Sequence, residues 1–209
     1  MQSLRIIAAF AVVTTLAQSA GAQESETDNS FKWTGGIAAG RSVFVRNLNG
    51  AVRVENGTGA EVEVRAEKHW RRGDPKSVTV TATKTTKGDV LVCAIWEKRN
   101  TRCDEDGYSS HGGDSWFDRD RDNDVSVEFT IRLPKGVKLD ASTVNGGLSI
   151  EGATAQVKAR TVNGSVTSED FPITVQGRFD RRRISGKIGK GGPELSVSTV
   201  NGSINLRRN

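Results

Sequence analysis

The tetrapeptide Thr-Val-Asn-Gly occurs three times, at 143–146, 161–164 and 199–202, with the same apolar pattern around each copy. A fourth, diverged copy is centred on Asn49 and Gly50. We counted from each Asn to the positions six, four and one before it, and three and five after it. Nineteen of these twenty positions are apolar, where a hydrophobic content of 35% would give about seven. Such repetition indicates a fold built by duplication of one small β unit.

Apolar residues alternate with polar ones on both sides of each Asn-Gly pair, which predicts two strands with one buried face. The pair itself predicts a corner between them, because Asn and Gly readily adopt positive φ. The predicted structural turns are Asn49-Gly50, Asn145-Gly146, Asn163-Gly164 and Asn201-Gly202.

The spacing of the copies predicts how they are arranged. Asn145 and Asn163 are 18 residues apart, and Asn163 and Asn201 are 38 apart, close to two such steps. A degenerate copy at 184–188, with Phe179 at its minus-six position, would fill the longer interval. We therefore expect an all-β fold, a right-handed parallel β-solenoid with short rungs stacked one on the next. Because Asn-Gly is also a strong hairpin signal, an antiparallel β-sandwich is the alternative.

The segment before the repeats has β character without the repeat. Four Val- or Thr-rich alternating runs predict strands at 61–66, 78–83, 90–95 and 125–133. We expect one domain over 31–209, with an irregular β half at 31–136 and the Asn-Gly repeat array at 137–209.

The N-terminus has the pattern of a secretory signal peptide. Arg5 precedes an apolar run over 6–16, and Ala20-Gly21-Ala22 matches an A-x-A cleavage site. We expect residues 1–22 to be removed, 23–30 to form a loose tail, and the mature protein to be periplasmic or secreted without a membrane span. For an exported chain a formal net charge of +5 favours anionic glycan or lipid partners, or plain solubility, over nucleic acid.

An exported protein with two cysteines is expected to join them, which predicts a disulfide between Cys93 and Cys103.

The Asp-rich segment 104–124 has alternating carboxylates at Asp118, Asp120, Asp122 and Asp124, a weak calcium pattern. Arg119 and Arg121 interrupt it and no Glu closes it, so a solvated loop is the favoured interpretation.

Neither His69 nor His111 lies in a catalytic or metal-binding motif, so we expect no enzyme activity, catalytic residue or cofactor.

One basic cluster is a candidate anion-binding site: Arg178, Arg181, Arg182 and Arg183. His69-Trp70-Arg71-Arg72 resembles a sugar-stacking segment, although a core Trp flanked by surface arginines is the commoner arrangement. The last predicted strand, 204–206, would leave an open edge through which the protein could self-associate.

Three features together resemble the bacterial "putative adhesin" domain family of unknown function: 49–54 (Asn-Gly-Ala-Val-Arg-Val), Leu133-Pro134-Lys135-Gly136, and the three repeats closing on 203–206. The resemblance covers about 31–206 and implies β-helical structure like that of surface-adhesin heads, with no catalytic residues to transfer. We therefore expect an exported, non-enzymatic cell-envelope protein that presents a surface for binding or self-assembly. The alternatives are a periplasmic module that binds anionic glycan, or a component of envelope-stress sensing.

Overall fold

The structure, a computed structural model, describes residues 22–97, 101–110, 123–152, 155–169, 173–174, 179–180, 182–188 and 194–207. Residues 1–21 of the predicted signal peptide, 1–22, lie outside this part of the chain. Regular structure here is β apart from 3-10 conformation at Pro75–Ser77 and at Glu97, and the Asp74 side chain accepts the N–H of Lys76 in the first of these. The all-β prediction is confirmed. No helix in the described ranges has the length and apolar character needed to cross a membrane.

Two large sheets account for most of the described strands. Sheet A contains, in spatial order, β1 (Gln23–Glu26), β2 (Ser30–Gly36), β5 (Glu61–His69), β10 (Ser126–Leu133), β4 (Val52–Asn56), β12 (Leu148–Glu151), β14 (Val166–Glu169) and β19 (Ile204–Leu206). Sheet B contains β15 (Ile173–Thr174), β17 (Arg183–Ile188), β18 (Glu194–Asn201), β13 (Val157–Asn163), β11 (Lys138–Asn145), β3 (Ser42–Arg46), β7 (Val90–Trp96) and β6 (Val78–Lys84), with β16 (Phe179–Asp180) paired to β17. A separate hairpin joins β8 (Thr101–Cys103) to β9 (Tyr108–Ser110). The four runs predicted as strands upstream of the repeats are β5, β6, β7 and β10.

Each Asn-Gly copy forms one unit, in which a strand of sheet B passes through the turn into a strand of sheet A. Units 1 to 4, named by the turns at Asn49, Asn145, Asn163 and Asn201, are β3–β4, β11–β12, β13–β14 and β18–β19. Neighbouring units pair in parallel in both sheets and in repeat register, so that Leu139 pairs with Val157 and Val157 with Leu195. Equivalent residues of the repeat therefore lie directly beside one another.

Both sheets are mixed, which differs from a uniformly parallel array. Antiparallel strands extend the stack at its two ends: β6 in sheet B and β5, β2 and β1 in sheet A before unit 1, and β17 with its partners beyond unit 4. Such strands occupy backbone donors and acceptors that the end of a parallel stack would otherwise expose.

The degenerate copy was predicted wrongly. Residues 184–188 belong to β17, which pairs antiparallel with β18, outside unit 4. Units 3 and 4 pair directly with each other, so the interval of 38 residues contains an excursion and not an extra rung. The reason is packing at the turns, where Gly202 lies against the carbonyl of Gly164 and leaves no space for an intervening chain.

A single apolar core fills the space between the sheets. The positions six and four before each Asn, and three and five after it, face this core in units 1 and 2. The position one before the Asn was also predicted to be inside. This holds for Leu48 of unit 1, and Val144 of unit 2 is half-buried against the core, but Val162 and Val200 are 38% and 51% exposed. Strict alternation instead buries the position two before, occupied in units 2 to 4 by Thr143, Thr161 and Thr199.

The buried threonines are accommodated because each hydroxyl donates to a glycine carbonyl of the preceding unit. Thr161 Oγ1 lies 2.8 Å from the oxygen of Gly146, and Thr199 Oγ1 lies 2.9 Å from that of Gly164. In unit 1 the equivalent position is Asn47, whose amide nitrogen donates to the carbonyls of Gly50 and Val127. These bonds satisfy polar groups at the border of the core.

The side chains of the turn asparagines also form a ladder. The amide nitrogens of Asn145, Asn163 and Asn201 donate to the side-chain oxygens of Asn49, Asn145 and Asn163 respectively, over 2.7–2.8 Å. Positive φ was expected at the glycines of these turns, but only Gly50 has it. The other three glycines are required by close approach, because a Cβ on any of them would lie about 2 Å from the preceding unit's carbonyl oxygen.

Two other expectations concern boundaries within the chain. The expected loose tail contains β1, which pairs antiparallel with β2 although all four of its residues are exposed. The boundary at residue 136 does not separate the sheets, since β3 pairs with β11 and β4 with β12 across it.

Candidate binding surface

The outer face of sheet B, called here the basic face, carries the side chains that alternate with the buried ones. Its charged residues are mostly cationic: Lys138, Asp140, Lys158, Arg160, Arg183, Lys187 and Glu194. Ser142, Arg160, Ser198 and Arg183 form one row across four adjacent strands. In this row the hydroxyl of Ser198 lies between two exposed guanidinium groups, and that of Ser142 lies on the other side of Arg160.

The outer face of sheet A has the opposite character and is called the acidic face. Its outward positions include four cations and seven carboxylates: Lys32, Arg53, Arg65, Arg132, Glu55, Glu61, Glu63, Glu67, Glu128, Glu151 and Glu169. Arg132 contacts both Glu55 and Glu63, and Arg65 lies 3.9 Å from Glu63. Among the described residues, carboxylates therefore outnumber cations on the acidic face, and cations outnumber carboxylates on the basic face.

The β8–β9 hairpin covers one part of the basic face and is held there covalently. Cys103 of β8 is bonded to Cys93, which occupies an outward position of β7, with 6.3 Å between their Cα atoms. The predicted disulfide is confirmed. It closes a short loop and restricts the hairpin to the surface of sheet B.

A buried arginine holds the tip of the same hairpin. The Arg46 side chain, only 2% exposed, donates to the carbonyl oxygens of Asp104 and Glu105 in the hairpin turn. It also donates to the Asp140 carboxylate over 2.9 Å and to the Asp140 carbonyl over 2.8 Å. Its guanidinium lies 5.4 Å from the centroid of the Phe44 ring. Because all these partners are acceptors or a π face, the buried cation is well compensated.

The hairpin turn has its own stabilising carboxylate. Asp104 accepts the N–H groups of Gly107 and Asp106, and Arg102 lies 2.8 Å from its other oxygen. These contacts, the Gly107 N–H first, lower the pKa of Asp104. The tip that borders the groove is thus ordered by charge-assisted bonds.

Between the hairpin and units 2 to 4 lies an open groove of about 330 Å³. One wall comes from Asp106, Gly107 and Tyr108 of the hairpin. The floor consists of outward residues of the units: Ser142, Val144, Arg160, Val162, Ser198 and Val200. The groove combines apolar, hydroxyl and cationic groups within one concave surface, which is typical of a ligand site.

Sequence reasoning missed this groove for an identifiable reason. Val144, Val162 and Val200 were assigned to the core because they are apolar, whereas their distance from the buried positions is odd. Because alternate residues of a strand point to opposite sides, the sequence itself indicated that these valines point away from the core. The hairpin wall gave no such signal, because its position depends on the disulfide and on contacts of Arg46.

The predicted arginine cluster is described only in part. Arg178 and Arg181 lie outside the described residues. Arg182 and Arg183 are exposed, and Arg183 pairs with Ser198 at the margin of the basic face. The described half of the cluster thus adjoins the row that contains Arg160.

The weak calcium pattern is also described only at its end. Asp118, Asp120 and Asp122 lie outside the described residues, while Asp124 accepts backbone N–H groups from Gly73, Arg72 and Arg71, the shortest over 2.8 Å. Within the described ranges no group of three His, Cys, Asp or Glu residues is placed to hold a metal. Asp124 is a loop-stabilising carboxylate in this structure.

These N–H groups, that of Gly73 first, lower the pKa of Asp124. A lowered folded-state pKa gives stability that is present above the unfolded-state pKa and is lost as the pH falls through the folded one. Asp124→Asn should therefore flatten the acid limb of the stability curve below about pH 4. Urea unfolding at pH 7 and at pH 3 measures this, with Glu61→Gln as the control for removing one negative charge. An unchanged acid limb in Asp124→Asn would contradict the assignment.

Trp70 differs from the expectation that it would be a core residue. Its side chain is 41% exposed and lines an open depression together with Asn29, Ser30, Glu67, Lys68 and His69. This depression lies near the β2–β5 end of sheet A and is separate from the groove.

Comparisons with known proteins give little further information. No protein-family model and no curated protein matches the chain. A crystal structure of a "putative cell adhesion protein" from Clostridium sporogenes is similar, with 9% identity, a TM-score of 0.43, and coverage of 90% of this chain and 100% of that one. At this level the similarity does not bear on function.

Proposed function

We propose that this chain is an exported, non-enzymatic cell-envelope protein of the adhesin type whose basic face binds an anionic glycan. In this proposal the parallel part of the molecule is a short β-solenoid, and the units serve as a rigid support for the groove. The carrying observation is the row Ser142–Arg160–Ser198–Arg183 beside the groove, on the face where cations outnumber carboxylates.

The chemistry of the groove favours a saccharide that bears carboxylate or phosphate groups. Arg160 has a side chain that is 56% exposed and lies 3.7 Å from Asp140, so most of its donors are available to a ligand. Guanidinium groups bind carboxylates and phosphates through paired hydrogen bonds. Serine hydroxyls can bond sugar hydroxyls, and the valines can cover the apolar faces of sugar rings.

An oxidising compartment is consistent with the same proposal. The Cys93–Cys103 disulfide positions the groove wall, and disulfides persist in secreted and periplasmic proteins. Export and the predicted cleavage after Ala22 can be tested by sequencing the N-terminus of the mature protein. The resemblance to the adhesin domain family supports an envelope role, and a part in envelope-stress sensing would use the same surface.

Binding can be tested with anionic and neutral oligosaccharides on an array, followed by calorimetry of the best ligand. Arg160→Ala combined with Arg183→Ala should weaken binding of anionic glycans by tenfold or more, about the effect of losing one charge-assisted hydrogen bond. The matched control is Arg65→Ala on the acidic face, whose side chain is also 56% exposed and lies 3.9 Å from a carboxylate. No binding to any glycan, or equal weakening by Arg65→Ala, would contradict the proposal.

A further inference from the structure

Sheet A ends at β19, a strand of three residues. Within the described part of the chain, β19 pairs with β14 on one side and no strand covers its other side. In sheet B the equivalent strand, β18, is covered by β17. The last unit is therefore protected in one sheet and open in the other.

The hydrogen bonds to β14 determine which backbone groups point outward. Ser203 accepts from the N–H of Val166, and Arg207 donates to the carbonyl of Ser168. In a parallel ladder alternate residues bond to the same neighbour, so positions 203, 205 and 207 face β14. The N–H and C=O groups of Ile204 and Leu206 thus point to the open side.

The side chains of β19 are symmetric about its centre. Ile204 and Leu206 are half-buried against the edge of the core, and Asn205 between them is exposed. In units 1 to 3 the corresponding positions are covered by the next unit. A second β19 running antiparallel about Asn205 would place Ile204 opposite Leu206 twice, and both apolar residues would gain a partner.

We propose that two copies of this chain associate through β19, joining their A sheets by antiparallel pairing centred on Asn205. In this arrangement Ile204 and Leu206 of the two copies exchange four backbone hydrogen bonds, and the two Asn205 residues face each other. The interaction is independent of the basic face, so its failure would leave the glycan proposal intact. A two-fold contact of this kind closes as a dimer.

The other end of sheet A does not fit β19 equally well. Strand β1 is also an edge, but Glu24 and Glu26 pair with Trp33 and Phe31 and thus lie on the core side of the sheet. Joining β1 to β19 would set these carboxylates beside Ile204 and Leu206. Inward-pointing charges on an edge strand are a known protection against such pairing.

The first test is Leu206→Pro, which removes an outward N–H but no bond to β14. Proline is tolerated where a strand's N–H faces away from the sheet. Sedimentation across micromolar to millimolar concentration should show a weak, concentration-dependent dimer for the wild type, because the contact is small. Leu206→Pro should raise the dimer dissociation constant at least tenfold while circular dichroism and Tm show a retained fold.

The second test uses Asn205→Cys. Opposed residues at a non-hydrogen-bonded antiparallel position have Cα atoms about 4.5 Å apart, a distance that a disulfide can span. Mild oxidation should give a covalent dimer, whereas Ser25→Cys on β1 should not. A monomer at every concentration, equal cross-linking of Ser25→Cys, or an undiminished dimer in Leu206→Pro would each overturn the proposal.

Discussion

Gly146→Ala should lower the free energy of unfolding by about 3 kcal/mol or more, which places it among the severe single substitutions. A Cβ at this position would lie 2.0 Å from the carbonyl oxygen of Gly50. That oxygen is part of the backbone and cannot move away without separating units 1 and 2. The same carbonyl accepts the hydroxyl of Thr143, so the displacement would also break a hydrogen bond at the border of the core.

The neighbouring glycine is a matched control. At Gly147 a Cβ would meet only the carbonyl of Ser165, at 3.4 Å, and the residue does not have positive φ. Gly147→Ala should therefore change stability by less than about 1 kcal/mol. Urea unfolding followed by circular dichroism compares the two variants. Similar losses in both would mean that close approach between units is not what requires glycine at the turn.

Arg46→Ala should destabilise the protein by about 3–5 kcal/mol, because it leaves Asp140 without its buried partner. Asp140 is 14% exposed, and the carbonyls of Asp104 and Glu105 would lose their donor as well. The hairpin would then be held mainly by the disulfide. We expect faster amide hydrogen exchange over 101–110 together with the loss in unfolding free energy.

Arg160→Ala is the control, since Arg160 pairs with the same Asp140 from the solvent side. Exposed ion pairs contribute between zero and about 1 kcal/mol, so its stability should be nearly that of the wild type. Arg46→Ala should thus lower the stability of the protein, whereas Arg160→Ala should weaken binding and leave stability nearly unchanged. A small effect of Arg46→Ala on both unfolding and exchange would show that the hairpin does not depend on this side chain.

The repeat made much of the parallel stack predictable from sequence. Leu139, Val157 and Leu195 share one repeat position, and the structure pairs them in that order. Each copy contains its own alternating pattern, whatever residues lie between the copies. Unit 1 could therefore be aligned with the other units although it lies far from them in the chain.

The errors arose where an apolar residue was assigned to the core although its place in the alternation of the strand points outward. Valine at 162 and 200 was taken as core and is exposed, while Thr161 and Thr199 are buried. Threonine can occupy such a position because its methyl group packs inward and its hydroxyl reaches a backbone carbonyl. A pattern based only on apolar residues does not predict the hydrogen bond of the threonine hydroxyl, because the carbonyl that accepts it belongs to another unit.

The candidate surface was less predictable than the fold. The Arg46 side chain is buried by residues 58 and 59 positions further along the chain, and nothing near it in sequence indicates this. The groove arises from the meeting of that hairpin with units 2 to 4. Long-range contacts of this kind follow from the assembled sheets and not from any local motif.

The direct pairing of Asn49 with Asn145, 96 residues apart in the chain, has a consequence for the order of assembly. Strands β3 and β4 acquire their parallel neighbours of unit 2 only when the chain is available to about residue 151 of 209. Before then, β3 and β4 can pair only with β7 and β10 on their other sides, so each of them keeps one edge open. Pairing between strands so far apart in the chain slows folding because a long loop must close, and we therefore expect these two edges to be closed late.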